Sequence, residues 1–346
     1  MIAEPLDQLG FAEWYKQASG KRYAADPWLA YRSALDASSD LEPPLRTIVD
    51  LFIRGRTISK SDLLSTIGDL AAGVLEEHEV LSSTSTGQIS SRFCLVHAIN
   101  TYLFVNWPVG TPSGRLCSQG PYLGTTSYEL WLAVNHSRRV KRALDLGCGA
   151  GLIASSLSSL ANQTVAVDID ENAVEVSRLN LVTNGASADI RRGHWDKCIG
   201  ADESFDLILA NPPWALVPPA VKYPDQMARL GSGRDGLGYV RQALGAISRL
   251  LAPGGEAILR FDLPFGAAGA ERLISRDGCL MSAGLDVTST IFAVVLPEDQ
   301  ARISSDLCWQ LNPEVDGLPE RFLAYYRALN IDRFAKLVLR IRRNDG

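Results

Sequence analysis

The residues best suited to chemistry fall in three short groups. Gly147, Gly149 and Gly151 follow an apolar run, Ala143 to Leu146, that carries one acid, Asp145. A chain leaving a strand for a helix needs backbone conformations that glycine adopts at little cost. Bare backbone at a helix N-terminus also admits an anionic ligand. A second apolar run, Thr164 to Val167, ends in Asp168, Ile169 and Asp170. An acid roughly twenty residues beyond a glycine-rich turn suits the two hydroxyls of a ribose; a helix cap is its competing use. The third group, Asn211-Pro-Pro-Trp214, ends the apolar run Phe205 to Ala210. Its consecutive prolines stiffen whatever acceptors it carries. A nucleoside ligand is the first inference.

These groups need a scaffold that gathers strand ends. From residue 142 onward apolar strands and helical stretches alternate, which predicts an α/β fold with a parallel sheet covered by helices on both faces. Strands are expected at 142–147, 164–168, 188–192, 205–210, 256–261, 285–296 and 335–342, with helices near 151–161, 171–183, 238–251 and 268–283. In such a sheet ligands bind beyond the C-terminal strand ends. Ahead of it, Leu6, Phe11, Trp14, Tyr15, Trp28, Leu29 and Tyr31 recur at helical spacing and are expected to pack in a core. Leu45–Ile53, Lys60–Ile67 and Leu70–Val80 read as three short helices, capped at Ser59 or Ser61. The polar turn Ser82–Gly87 precedes one or two strands within Arg92–Asn106. Three helices and a β-hairpin look like a winged-helix module. The expected division is an α+β module over 1–120, a linker at Pro108–Gly124, and an α/β domain over 121–346. An insertion at 297–334 is either a lid or a packing element against the N-terminal module.

Asp145-Leu-Gly-Cys-Gly-Ala-Gly151 resembles the first motif of class I methyltransferases that use S-adenosylmethionine. Asn211-Pro-Pro-Trp214 is similar to the signature of those that methylate planar nitrogens, whose known members act on release-factor glutamine, rRNA guanine amines and DNA adenine. Arg234-Asp-Gly-Leu-Gly and Leu250-Leu-Ala-Pro-Gly-Gly-Glu256 match that family in order and spacing, so the resemblance covers about residues 120–346. It implies a seven-stranded Rossmann-like sheet with the last two strands antiparallel. It further implies that Asp145 and the backbone of Gly147, Cys148 and Gly149 hold the methionine moiety, and that Asp168 and Ile169 face the ribose end. His194 stands where relatives carry an acid for the adenine amine, leaving a ring nitrogen or a backbone amide to do that work. Trp195 is placed either to cover the adenine face or in the core. Thr125–Ser127 falls where glutamine-methylating relatives close a loop over the cofactor. The oxygens of Asn211 and Pro212 can each accept a hydrogen from a substrate N–H₂, aiming the nitrogen at the methyl group, with Trp214 stacked on the acceptor plane.

The acceptor is therefore expected to be an amide, amine or guanidino nitrogen of a small molecule or protein side chain. A net charge of −5 disfavours nucleic acid, though methylation of a nucleobase amine has family precedent. A winged-helix regulator that merely senses the ligand would carry a degraded acceptor loop, and this one is intact. Six cysteines, Cys94, Cys117, Cys148, Cys198, Cys279 and Cys308, show no C-x-x-C pair, so reduced thiols and no metal are expected. With 46% hydrophobic and 21% charged residues, no apolar run of membrane-spanning length and no secretory layout at Met1–Pro5, a soluble cytoplasmic protein is expected.

Overall fold

The computed structural model describes residues 1–20, 27–37, 40–83, 85, 87–107, 121, 123–223, 233, 235–266 and 284–344. The expected helix at 268–283, the side chains of Trp28 and Leu29 and most of the linker lie outside these residues. The chain divides into two compact units: residues 1–128 with 148–160 and 164–193, and residues 129–147 with 161–163 and 194–346.

In the first unit, helices α1 (Ala3–Gln8), α2 (Phe11–Ser19), α3 (Pro27–Asp36) and α4 (Pro43–Phe52) precede strand β1 (Ile58–Ser59) and helix α5 (Lys60–Glu77). Ser59 caps α5 by accepting from the Asp62 N–H, as expected. The two expected helices at 60–80 are continuous except at Gly68, whose φ of 79° kinks the chain. Strands β2 (Leu81–Ser83) and β3 (Gln88–Ser91) flank the polar turn and join β1 in a three-stranded sheet, order β1-β3-β2. Arg92–Asn106 forms a separate hairpin, β4 (Cys94–Ala98) and β5 (Thr101–Val105). Ile99 and Asn100 turn it with positive φ, the conformation of a two-residue primed turn. Phe11, Tyr15, Tyr31, Phe52 and Phe104 are buried with Leu152, Val176 and Leu179 in one core. The N-terminal aromatics are thus packing residues.

After helix α6 (Thr125–Leu132) come β6 (Val140–Leu146), α7 (Leu152–Leu157), β7 (Ala161–Asp168), α8 (Glu171–Asn184), β8 (Asp189–Arg192), the short α9 (Trp195–Cys198) and β9 (Phe205–Ala210). Then follow α10 (Gly238–Leu250), β10 (Leu251–Phe265), β11 (Leu285–Val295), α11 (Pro297–Cys308), α12 (Leu318–Ala328) and β12 (Arg333–Arg343). The seven-stranded sheet has the order β11-β12-β10-β9-β6-β7-β8. β6/β9, β9/β10 and β7/β8 pair parallel, while β12 runs antiparallel to both β10 and β11. This is the sheet that the resemblance implies. β9 is apolar on both faces because it is interior. β10 is longer than expected: a register shift between Leu251 and Glu256 admits Pro253 and two glycines without ending the strand. Its last pair with β9 is Leu259 with Ala210, so Arg260 to Phe265 continue beyond β9 alongside β12.

Candidate active site

In the second unit, Asp145 lies opposite Leu209 and the last pair of β6 and β9 is Leu146 with Ala210. Gly147 and Asn211 are therefore each the first residue beyond two adjacent, parallel strand ends. Asp145 is a buried carboxylate, 2% exposed. Pro212 is buried, whereas Asn211 and Trp214 are half-buried at the rim. Behind them, Ala215 and Leu216 are buried, and Leu216 packs within 3.0 Å of the position a Cβ on Gly236 would take. The loop is thus anchored downstream, with Asn211 and Trp214 half-buried.

Gly149, Asp168 and Asp170 belong to the first unit. The Gly149 N–H donates to Asp168 Oδ2 at 2.9 Å, and the Asp170 N–H to Asp168 Oδ1 at 3.0 Å. Burial pushes the Asp168 carboxyl above its ordinary range, and these two N–H donors oppose the shift. The helix-cap role belongs to Asp170, which accepts from the Asn172 N–H, so Asp168 is not needed there. Cys148 donates its N–H to Val167. Ile169, the next residue past β7, is 49% exposed, an apolar face offered beside the carboxylate.

The glycines show where a ligand has room. Gly147 (φ 90°) has nothing within 4 Å of an added Cβ, and Gly149 (φ 51°) meets only Pro121, at 4.0 Å. Gly151 (φ 76°) is different: its added Cβ would lie 3.0 Å from Ser177 Cα. Among the described residues the first two have room above them, whereas the third permits close packing on α8.

His194 does not stand open. Its Nδ1 receives the Asp196 N–H at 3.4 Å and its Nε2 lies 3.1 Å from Gln242 Oε1, so the ring caps α9. Trp195 is buried and tilted against His194 at 5.0 Å, the core placement. Thr125–Ser127 opens α6 rather than forming a loop.

Two features escape sequence reasoning. Arg260, 1% exposed, bonds Glu129 Oε2 at 2.6 Å and Asp262 Oδ1, just beyond the end of β9. Burial raises the Asp262 carboxyl against the pull of that guanidinium. Two charges alternating in an apolar strand were the available signal. The second feature is the insertion, which starts as expected but gives way to β12 at Arg333. Asn312, 2% exposed, accepts from the Lys222 N–H and donates to the Lys222 carbonyl, both at 2.8 Å. The insertion is thus hydrogen-bonded to the chain eight residues past Trp214.

Among the described residues no cluster of His, Cys, Asp and Glu could hold a metal, no disulfide forms, and no helix is long and apolar enough to cross a membrane.

The family model of the methyltransferase small domain matches residues 125–217. Over 151 residues the chain is 35% identical to a release factor glutamine methyltransferase of Gloeobacter violaceus, covering 40% of this chain and 52% of that one. Over 134 residues it is 34% identical to a ribosomal protein uL3 glutamine methyltransferase of Neisseria meningitidis, covering 36% and 44%. Over 88 residues it is 33% identical to a ribosomal protein L11 methyltransferase of Thermotoga neapolitana, covering 25% and 33%. The chain thus spans about half the length, or less, of the curated relatives it matches.

Proposed function

We propose that this protein is an S-adenosylmethionine-dependent N-methyltransferase whose acceptor is a side-chain amide of a protein, a reading supported by the match of residues 125–217 to the methyltransferase small domain. The observation that carries the reading is the register of β6 and β9, which sets Asn211 and Gly147 one residue beyond the same strand pair. The relatives' own substrates, protein glutamines, support the choice of acceptor.

S-adenosylmethionine supplies a methyl group on a positively charged sulfur. The chain's residues bind and orient. Asp168 would accept the ribose hydroxyls, the Gly147 backbone would face the carboxylate, and buried Asp145 would accept from the ammonium group; the Cys148 and Gly149 N–H groups already bond Val167 and Asp168. Ile169 covers the adenine face, and with the His194 ring occupied by Asp196 and Gln242 the adenine amine is left to backbone groups. Asn211 Oδ1 and the Pro212 carbonyl take the two amide hydrogens while Trp214 stacks on the amide plane. Orientation of this kind can contribute roughly 7–11 kcal/mol.

Helices α4 and α5 with the β1-β3-β2 sheet support a winged-helix-like reading of the N-terminal module, which we take to dock the protein acceptor.

The test is transfer of labelled methyl into separate pools of protein, small metabolites and RNA, by the native protein and by Asn211→Ala. Label in protein, lost by about a hundredfold or more in Asn211→Ala while S-adenosylhomocysteine (the demethylated product) still binds, is expected. Undiminished transfer by the variant would overturn the assignment of Asn211; label in RNA would redirect the acceptor to a nucleobase amine.

A further inference from the structure

Helix α8 buries a polar ridge where a helix in a core normally buries apolar side chains. Ser177 and Asn180 are 0% exposed and Asn184 is half-buried. At i, i+3 and i+7 they share one face. Burying hydroxyls and amides is unfavourable unless their hydrogen bonds are met, and here they are. Ser177 Oγ donates to the Gly149 carbonyl at 2.8 Å. Asn180 Nδ2 donates to the Ala150 carbonyl at 2.8 Å and to the Phe104 carbonyl at 2.9 Å, while its Oδ1 accepts from the Phe104 N–H at 2.7 Å. One turn on, Asn184 repeats the strand pairing: Oδ1 accepts from the Tyr102 N–H at 2.8 Å and Nδ2 donates to the Tyr102 carbonyl at 2.7 Å. Each amide offers β5 the donor and acceptor that a neighbouring strand would. Only Asn180 also reaches the glycine-rich loop.

In a planar trans peptide the N–H points opposite to the carbonyl. With the Gly149 carbonyl drawn to Ser177, the Ala150 N–H is turned away from α8. Drawing in the Ala150 carbonyl fixes the next peptide plane in the same way. The Gly151 N–H of that plane donates back to the Cys148 carbonyl at 2.8 Å, so the helix holds these loop planes in place before any ligand arrives.

Resting on the cofactor reading above, we propose that Asn180 is a positioning residue for the cofactor loop and that it ties the order of that loop to hairpin β4–β5. If the ligand orders the loop, it must also order β5, since coupling between two sites is reciprocal.

S-adenosylhomocysteine is titrated calorimetrically into the native protein, Asn180→Ala, Asn180→Asp and Asn184→Ala, with urea stability measured for each. Asn180→Asp keeps the acceptor for Phe104 and removes both donors. Both Asn180 variants are expected to bind at least tenfold more weakly. Asn184→Ala, which loses the strand pairing but no loop contact, is expected to stay within twofold whatever its stability. In the native protein the ligand is expected to slow exchange of the Phe104 amide by at least threefold, a readout that needs no variant. Native-like binding by Asn180→Ala, or an affinity loss shared by Asn184→Ala, overturns the proposal alone. Failure of the native protein to bind overturns the cofactor reading and this inference with it.

Discussion

Asn180 on α8 and Asn312 in the insertion are both buried amides that pair with main chain distant in sequence, yet they tie together different numbers of segments. Asn180 joins two segments, the glycine-rich loop and β5, 76 residues earlier. Asn312 holds one, the stretch at Lys222, 90 residues earlier, and closes on its own helix at the Cys308 carbonyl. For Asn180 the glycine-rich loop and the helix that ties it share one stretch of chain, residues 148–193. For Asn312 the segment at Lys222 is held by an insertion between β11 and β12, a separable element.

Three experiments sharpen or break this contrast. The largest effect is expected from Asp168→Ala. Losing a buried carboxylate that accepts charge-assisted hydrogen bonds should remove about 3 kcal/mol of binding, roughly a hundredfold in S-adenosylhomocysteine affinity by calorimetry. A loss under threefold would mean that the ribose does not lie at Asp168.

Asn312→Ala comes next. It leaves the Lys222 main chain without its partner and should lower stability by about 1–3 kcal/mol in urea. Amide exchange should accelerate at Leu216–Lys222, with affinity for S-adenosylhomocysteine unchanged. A drop in that affinity would show that the two regions are coupled.

The smallest effect is a pH dependence. Burial raises the Asp168 carboxyl, so protonation begins above the ordinary carboxylate range. The ionised form is the acceptor for ribose hydroxyls, so affinity should fall on acidification through that raised value. The fold behaves oppositely: an acid that binds its proton more tightly when folded adds stability as pH falls through the same window. Affinity decreasing while this group's contribution to stability increases is the expected signature, read by calorimetry and urea midpoints as pH is lowered toward the ordinary carboxylate range. Affinity flat down to the ordinary carboxylate range would contradict it.

The sheet was legible because its strands are apolar runs bounded by turn residues. Phe205–Ala210 occurs as expected, and Glu171–Asn184 is a helix within one residue of its expected end. Supports were harder to read. Asn180 and Asn184 look like ordinary surface residues of a helix, because their partners are the backbone of Phe104 and Tyr102, and backbone carries no sequence signature. β2 and β3 hid inside a Ser/Thr-rich stretch, since short strands paired to a two-residue strand near residue 58 have no alternating pattern to display. Likewise His194 was legible as a departure from the family's acid, but not as a helix cap, because Gln242 lies 48 residues away.

The close approach at Gly151 has a consequence for how this region can be rebuilt. A Cβ on that residue would sit 3.0 Å from Ser177 Cα, so the helix would have to give way to it, and the left-handed φ there would strain any replacement. A helix transplanted from another protein in place of α8 would have to bring a small residue to position 177 and tolerate the same gap. Loop and helix can therefore be exchanged only as a single cassette, cut before Gly147 and after Gly185.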